Sequence, residues 1–190
     1  MMIEADSSVG HRLLAPRIAY VIGTRGSGGP DLAPISNVTS VSRSPQVIVV
    51  AVFKEWQTYA NLVAGKGFTL SVPTRGQNDA VWRLGEKYSG FTPAAGHTKL
   101  DECGTPIDLE ASEYGPALSE SIGWLECQIT STADIKGDHG VFFGGVVAAH
   151  FNEKYLTADG MYKQNSEPVM QVVGNTFASS TDHWTNEYFK

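Results

Sequence analysis

Short apolar runs that end at turn residues dominate the first half of the chain. The run at 17–24, RIAYVIGT, is rich in β-branched and aromatic residues and stops at the turn sequence RGSGGPD, a pattern typical of a strand. The run at 46–53, QVIVVAVF, is continuously apolar, which predicts a strand covered on both faces. Residues 68–73 alternate apolar and hydroxyl side chains and therefore predict a strand with one buried face.

Two segments have the spacing of helices instead. Residues 56–67 carry Trp, Tyr, Leu and Val at mixed helical spacings and close with two glycines, which indicates a short helix with a glycine stop. Residues 78–88 also favour a helix, with Asn78 or Asp79 available as its N-cap. Both helices are short, so strands remain the main elements.

The second half of the chain predicts two further strands around a hairpin turn. The strands cover 121–135 and 140–151, and the sequence KGDH lies between them. An irregular segment at 89–116 is rich in Gly, Pro and Thr, and its length favours a functional excursion over an idle loop. This order of elements predicts a mainly β, small antiparallel barrel with short helical excursions, in one domain over residues 1–190.

Composition narrows the class of protein. The 190 residues are 42% hydrophobic and 18% charged, as in ordinary soluble globular proteins. A net charge of −6 argues against nucleic-acid binding, because phosphate neutralisation needs clustered Lys and Arg. No run approaches the roughly 20 apolar residues of a membrane span, and the N-terminus does not have the pattern of a signal peptide. Cys103 and Cys127 form no disulfide framework, so we expect a reduced, cytoplasmic setting.

The common nucleotide, hydrolase and metal motifs are missing. The glycines of GTRGSGGP do not fit G-x-G-x-x-G, AGKG lacks the first glycine of a P-loop, and no G-x-S-x-G is present. The five histidines are scattered, without an H-E-x-x-H pair or nearby cysteines. No metal site is therefore expected.

Three segments carry groups that suit ligand binding. The first, 31–45, reads DLAPISNVTSVSRSP and is rich in Ser, Thr and Asn although it leads into the apolar run; an ordinary strand with a polar outer face is the alternative. The second places Thr58 and Asn61 three apart and hence on one helical face, where they serve an anion site or a helix cap. The third is GDHGVFFGGVV, where His139 lies at the start of a core strand; this histidine is either a catalyst or a turn residue.

Taken in chain order, these motifs resemble the flavin reductase family with the FMN-binding split-barrel fold. The resemblance rests on PRIAYVIGTRGSGGPDLAPISNVTSVSRSP, the T-x-x-N of WQTYANL, the F-x-x-x-V-P of FTLSVP, LECQI and GDHGVFFGGVV, and it covers residues 16–150. Three positions depart from the family pattern. Gln46 follows the proline of S-x-x-P, Ser71 replaces an Asn, and Phe177 replaces a Tyr in a closing motif, so no residue from the last part of the chain is assigned to the site.

The resemblance implies a six-stranded antiparallel split barrel that forms a homodimer, with FMN, or FAD instead, in a groove near the dimer interface. It also implies NAD(P)H as a transient reductant and a partner monooxygenase or another acceptor for the electrons. No nucleic acid and no membrane would be involved.

The same resemblance assigns candidate site residues through the matching motifs. His139 would lie near the flavin or the nicotinamide, as the candidate catalytic residue. The residues expected along the flavin ring are Pro34, Ile35, Ser36 and Asn37. Those expected at the ribityl and phosphate end, including two candidate charges, are Ser42, Arg43, Lys54, Thr58 and Asn61.

Three functions remain open on the sequence. The first is an NAD(P)H-dependent FMN reductase, and the second is a flavoredoxin-like FMN-binding electron carrier without efficient NAD(P)H turnover. The third is a barrel that has lost its cofactor and only mediates association; the joint presence of S-x-x-P, T-x-x-N and GDH counts against it. Trp56, Trp82 and Trp124 are interpreted as core or dimer contacts rather than as groups that stack on a flavin.

Overall fold

A computed structural model describes residues 2–180, so the two ends of the predicted domain lie outside the described residues. The strands are β1 (Arg17–Ile18), β2 (Tyr20–Gly26), β3 (Gly29–Ile35), β4 (Val38–Arg43), β5 (Gln46–Phe53), β6 (Gly67–Val72), β7 (Ile107–Asp108), β8 (Ala117–Leu118), β9 (Gly123–Ala133), β10 (His139–Phe151), β11 (Val169–Val173) and β12 (Thr176–Ser179). The helices are α1 (Gln57–Ala64), α2 (Asn78–Leu84) and α3 (Lys99–Glu102), with short 3-10 segments at Ser7–Leu14 and Arg75–Gln77. The prediction of a mainly β protein is confirmed.

The main sheet has seven strands in the order β3-β2-β6-β9-β10-β5-β4, and every pair in it is antiparallel. The expectation of six strands is therefore wrong. The polar stretch 31–45 divides at Ser36 and Asn37 into β3 and β4, which join opposite edges of the sheet. These two edge strands do not pair with each other, so the ladder does not close within residues 2–180.

The sheet curls so that its two ends share one hydrophobic core. Strand β2 supplies Ile22 to this core, while its neighbour Val21 points to a second core on the outer face, as the alternation of side chains along a strand requires. The buried residues of the first core are Ile22, Ala33, Ile35, Ile48, Val50, Val52, Leu62, Phe68, Leu70, Cys127 and Phe142. Because β3 and β5 both contribute, the sheet forms a barrel with a gap on its β3–β4 side.

The irregular segment after α2 is a packed part of the fold and covers the outer face of β6. Cys103 is buried in the second core, and Leu100 and Ile107 pack against it. The Thr69 hydroxyl donates to the carbonyl of Pro116, and the amide of Leu118 donates to Ser71 Oγ at 3.1 Å. The prediction that β6 is buried on one face only is therefore wrong, since these polar side chains are buried as well.

The two predicted helices are present, but only the end of α1 matches its prediction. Gly65 follows the last residue of α1, which confirms the glycine stop. Before α2, Thr74 and Gln77 form a reciprocal capping box, which satisfies the first backbone donors of that helical segment. The N-cap of α2 itself is Gln77, so the prediction of Asn78 or Asp79 as the cap is wrong. No helix among the described residues is long and apolar enough to cross a membrane.

Close packing of two backbone segments generates a stability prediction at Gly115. A Cβ on this residue would lie 2.5 Å from the backbone C and O of Gly23 in β2, closer than real Cβ contacts allow. We expect Gly115→Ala to lower the free energy of unfolding by about 1–3 kcal/mol, because the backbone must shift to make room. Urea unfolding followed by circular dichroism measures the change.

The control is Gly28→Ala in the turn between β2 and β3. A Cβ there meets nothing within 4 Å, so the free energy of unfolding should change by less than about 0.5 kcal/mol. Equal unfolding midpoints for the two variants would contradict the close approach at Gly115.

Candidate functional site

One cleft of about 790 Å³ lies beside the gap in the barrel. Its walls come from β3 and the link to β4, the end of β5, the start of α1, and the segment from α2 to Tyr88. The turn before β10 and the β11–β12 hairpin complete it with Asp138, His139 and Gln171. Segments from most of the described chain therefore meet at this one site.

All four residues predicted for a flavin ring line the cleft: Pro34, Ile35, Ser36 and Asn37. The Ser36 hydroxyl donates to Gln171 Oε1 at 2.9 Å, and Arg17 Nη1 donates to Asn37 Oδ1 at 2.8 Å. Within residues 2–180, β3 has a partner strand on one edge only. Backbone donors and acceptors at the free edge can therefore hydrogen-bond a ligand.

The two residues predicted for a phosphate site are both buried on α1, and only one of them lines the cleft. Thr58 lines the cleft, and its hydroxyl donates to Asp31 Oδ2 at 3.0 Å. Asn61 does not line it: this side chain is 4% exposed and donates to Thr24 Oγ1 at 3.0 Å in the interior. The N-cap residue of α1, Trp56, makes no side-chain capping hydrogen bond, so the first backbone N–H groups of the helix have no side-chain cap.

The other three predicted residues of the phosphate end lie outside the cleft of this single chain. Ser42 and Arg43 belong to the edge strand β4, where the arginine is exposed. Lys54 Nζ donates to the carbonyl of Gly137 at 2.8 Å and lies 3.8 Å from Asp134 Oδ1. The structure thus brings Thr58 together with residues 34–37, and it does not bring Ser42, Arg43 or Lys54 to them.

His139 begins β10 and lines the cleft. Its Nδ1 lies 2.7 Å from Asp138 Oδ1, and its ring contacts Phe53 edge-on with centroids 5.6 Å apart. The hydrogen bond from His139 lowers the pKa of the Asp138 carboxyl below its usual value. Because the carboxylate accepts this bond, Nδ1 carries the proton and Nε2 remains as the second polar atom of the ring.

Lys99 is a cleft residue that the sequence did not reveal. It lies on α3 in the irregular segment, and its Nζ is 2.8 Å from Asp31 Oδ1 and 3.3 Å from Glu86 Oε2. The side chains of Lys99 and Asp31 are each only 14% exposed. Glu86 has a φ of 33° just after α2, a left-handed conformation that a glycine would adopt more easily. Sequence reasoning missed Lys99 because no local pattern links it to β3.

Aromatic side chains form much of the apolar surface of the cleft. Trp56 and Tyr88 meet edge-on with ring centroids 5.6 Å apart, and Trp82 and Phe177 do so at 5.9 Å. Trp56 packs against the first core as predicted, yet it also lines the cleft, as do the other three. Trp124 lies elsewhere, stacked on His150. The β11–β12 hairpin thus does contribute to the cleft, although the sequence assigned no site residue to it.

The carboxylates around Lys99 generate a prediction about stability. Removal of this ammonium group would leave Asp31 and Glu86 facing each other, with Asp31 mostly buried. We expect Lys99→Met to lower the free energy of unfolding by roughly 2 kcal/mol, because an uncompensated buried charge remains. The double variant Lys99→Met/Asp31→Asn should recover part of the loss in urea unfolding.

Lys87 offers the matched control, since it lines the same cleft but has no carboxylate partner among residues 2–180. Lys87→Met should change the free energy of unfolding by less than about 0.5 kcal/mol. A Lys99→Met variant as stable as Lys87→Met would show that the three-residue ion network contributes nothing.

Known proteins with sequence similarity include two that are named as a reductase or a reductase component. The chain is 25% identical over 146 residues to the reductase component of a 4-nitrophenol 4-monooxygenase/4-nitrocatechol 2-monooxygenase from Rhodococcus opacus, covering 77% of this chain and 70% of that protein. It is 27% identical over 126 residues to an NADH-dependent FAD reductase from Streptomyces globisporus, covering 66% of this chain. The match spans 65% of that second relative, slightly less than two thirds.

Similarity of fold and of family extends over most of the chain. An FMN-binding protein from Thermus thermophilus, solved with bound 1-cyclohex-2-enone, superposes with a TM-score of 0.79 at 20% identity, covering 98% of this chain and 99% of that one. This confirms the split-barrel type of fold. The family model described as "Flavin reductase like domain" matches residues 12–167. The chain therefore belongs to the flavin reductase-like domain family.

Proposed function

We propose that the cleft binds FMN, or FAD, and that the protein is an NAD(P)H-dependent flavin reductase. The observation that carries the proposal is the meeting of two features in one cleft. These are the free edge of β3 with its polar link at Ser36 and Asn37, and the uncapped start of α1 at Thr58. A planar ring with a polar edge suits the first, and a phosphate group suits the second.

The dimensions and chemistry of the cleft fit a flavin. Its volume of about 790 Å³ lies within the roughly 300–1,000 Å³ typical of small-molecule sites. Aromatic walls from Trp56, Trp82 and Phe177 can cover the apolar faces of a tricyclic ring. The polar atoms of residues 34–37 line one side of the same space, so the ring edge would not be left without hydrogen-bond partners.

The link between β3 and β4 would hold the ring edge. Arg17 donates to Asn37 Oδ1, which fixes the oxygen side of this amide and leaves its NH₂ group as a donor. The Ser36 hydroxyl is fixed by Gln171 and retains acceptor capacity. The Asn37 NH₂ group, held in this way, would stabilise negative charge on the pyrimidine edge of a reduced flavin, since no reorganisation is needed when that charge develops.

The start of α1 would hold the phosphate. Uncapped N–H groups at a helix N-terminus attract anions. Asp31 lies close by, because it accepts the Thr58 hydrogen bond, and its charge would oppose a phosphate. Lys99 offsets this charge at 2.8 Å. Lys99 also contacts Glu86, so the network keeps one net negative charge, which the N–H groups at the start of α1 would have to outweigh in binding the phosphate.

His139 would act beside the ring. A bound flavin supplies the hydride acceptor, and reduced nicotinamide supplies the hydride. The residues of the chain position these groups and limit water; none of them needs to remove a proton for the transfer. With Nδ1 held by Asp138, the Nε2 atom of His139 is the polar group available to the nicotinamide or the ring.

A homodimer and a monooxygenase partner belong to the same proposal. Val147 and Phe151 on β10 and Val41 on β4 are about half exposed, which suits a surface covered by a second copy. A relative from Rhodococcus opacus is the reductase component of a monooxygenase, so a comparable acceptor is proposed here. A cytoplasmic setting is likewise proposed.

The phosphate assignment predicts a selective loss of affinity in Thr58→Ala. We expect its Kd for FMN to rise about tenfold, because the Asp31 carboxylate loses its Thr58 donor and opposes the phosphate more strongly; hydrogen bonds to charged groups contribute roughly 1.5–3 kcal/mol. The Kd for riboflavin, which lacks the phosphate, should change less than about twofold. Quenching of flavin fluorescence measures both constants.

Thr58→Ser is the control, since it keeps the hydroxyl and should bind both flavins as the wild type does. Asn61 is left unchanged in these variants because its hydrogen bond to Thr24 lies in the interior. Equal losses for FMN and riboflavin in Thr58→Ala would refute the assignment of this helix end to the phosphate.

The reductase proposal predicts rapid reduction of bound flavin by NADH or NADPH in stopped flow, whereas an electron carrier would be reduced slowly by both. His139→Ala should lower the rate of reduction about tenfold through loss of orientation, with flavin Kd changed by less than about threefold. The test compares the change in the rate of flavin reduction with the change in the Kd for flavin.

Two variants make the His139 prediction specific. Asp138→Asn should give an intermediate rate, because it keeps a hydrogen-bond acceptor and loses the charge. His97→Ala, which alters a histidine outside the cleft lining, should leave the rate unchanged. A His139→Ala protein with wild-type kinetics would return this residue to a structural role, and a wild-type protein that binds no flavin would overturn the proposed function.

A further inference from the structure

A second, smaller cavity adjoins the cleft and is lined by basic residues. It has a volume of about 160 Å³, with His11, Arg12 and Arg17 on one side and the strand end from Gln171 to Gly174 on the other. This volume is below the roughly 300 Å³ of a complete small-molecule site. The cavity therefore suits one polar group of a larger ligand.

The charges of the cavity are unbalanced by the protein itself. Arg25 and Arg75 each form an ion pair with a glutamate. Among residues 2–180, neither Arg12 nor Arg17 forms one with a carboxylate, and no acidic residue lines the cavity. In a chain with a net charge of −6, two arginines that share a concave site without an acidic partner point to an external anion. Guanidinium groups suit phosphate oxygens in particular.

The cavity and the flavin-sized cleft share residues of their walls. Gln171 and Gly174 line both spaces, and Gln171 Nε2 donates to the Gly174 carbonyl at 3.0 Å. Arg17 links the two directly, because it lines the cavity and donates to Asn37 in the cleft. A ligand whose ring lies in the cleft can therefore place a phosphate group in the cavity.

We propose that this cavity, the Arg12–Arg17 pocket, binds the pyrophosphate of the nicotinamide dinucleotide. This inference rests on the proposed reductase function. Of the two phosphate-bearing ligands, the flavin already has an anion site at the start of α1, on the Thr58 side of the cleft. The Arg12–Arg17 pocket lies across Gln171 from the cleft, so it remains for the second ligand. The charge of the pocket would draw in a dianionic diphosphate that the acidic chain otherwise repels.

The test compares two hydride donors on the flavin-loaded protein. NADH carries the pyrophosphate, and N-benzyl-1,4-dihydronicotinamide carries the same reactive ring without any phosphate. We expect His11→Ala/Arg12→Gln, which leaves the hydrogen bond from Arg17 to Asn37 in place, to raise the KM for NADH at least about tenfold, since two polar contacts to the diphosphate are lost. The kcat for NADH and the kcat/KM for the phosphate-free donor should stay within about twofold of the wild type.

Additional variants separate binding at the pocket from effects on the cleft. Arg12 is not among the residues that line the cleft, and Arg12→Gln alone should raise the KM for NADH about threefold or more. Arg75→Gln makes the same change in net charge at an exposed ion pair and should leave the KM unchanged. A binding measurement gives a readout that needs no turnover. In it, inorganic pyrophosphate should compete with NADH for the wild type and not for the double variant.

The outcomes distinguish this inference from the function on which it rests. Wild-type KM for NADH in the double variant, with the reductase itself active, would overturn the pocket alone. Weakened FAD binding with unchanged NADH kinetics would overturn the assignment to nicotinamide and give the pocket to the flavin dinucleotide. Equal losses for both hydride donors would place the effect in the cleft and also refute the pocket. A wild-type protein that accepts hydride from neither donor would overturn the reductase proposal and this inference with it.

Discussion

The candidate site depends on the failure of β3 and β4 to pair. The two strands follow each other in the chain, yet Ser36 and Asn37 separate them, and they take opposite edges of the curled sheet. A hairpin at this point would have closed the barrel and used the backbone groups of both edges. Because the gap stays open, one edge of β3 faces a cleft. The amide of Ala51 in β5 donates to the carbonyl of Asn37 at 3.0 Å. The polar side chains of the link are held in place rather than solvated.

Buried polar contacts then fix the segments that surround the gap. Asp31 joins β3 to α1 through Thr58 and to α3 through Lys99, and Gln171 joins the β11–β12 hairpin to Ser36. Each of these contacts connects parts of the chain that are distant in sequence. Their low exposure makes an unpaired group expensive, so the network favours one arrangement of the cleft. The proposed flavin chemistry uses this rigidity, since preorganised donors stabilise developing charge most effectively.

The sequence predicted β2, β5, β6, β9, β10 and the glycine stop of α1, because periodicity and turn signals report on adjacent residues. The four cleft residues of the β3–β4 link came from the family resemblance. The sequence could not predict that the chain at Pro116 and Leu118 covers Thr69 and Ser71, since an alternating strand looks half-buried until its cover is known. The same limit applies to Lys99, which meets Asp31 only through the folded excursion. The three-residue spacing of Thr58 and Asn61 placed both on one helical face, but it did not say that Asn61 lies beneath the cleft in contact with Thr24.

The central claim is that a flavin ring lies in this cleft with its polar edge on the β3–β4 link. A crystal structure of the protein with FMN tests it most directly. The account predicts the pyrimidine edge of the ring within hydrogen-bond distance of Ser36, Asn37 or the backbone between them, and the phosphate at the start of α1. A ring bound away from residues 34–37, or a saturating soak that leaves the cleft without flavin, would contradict it.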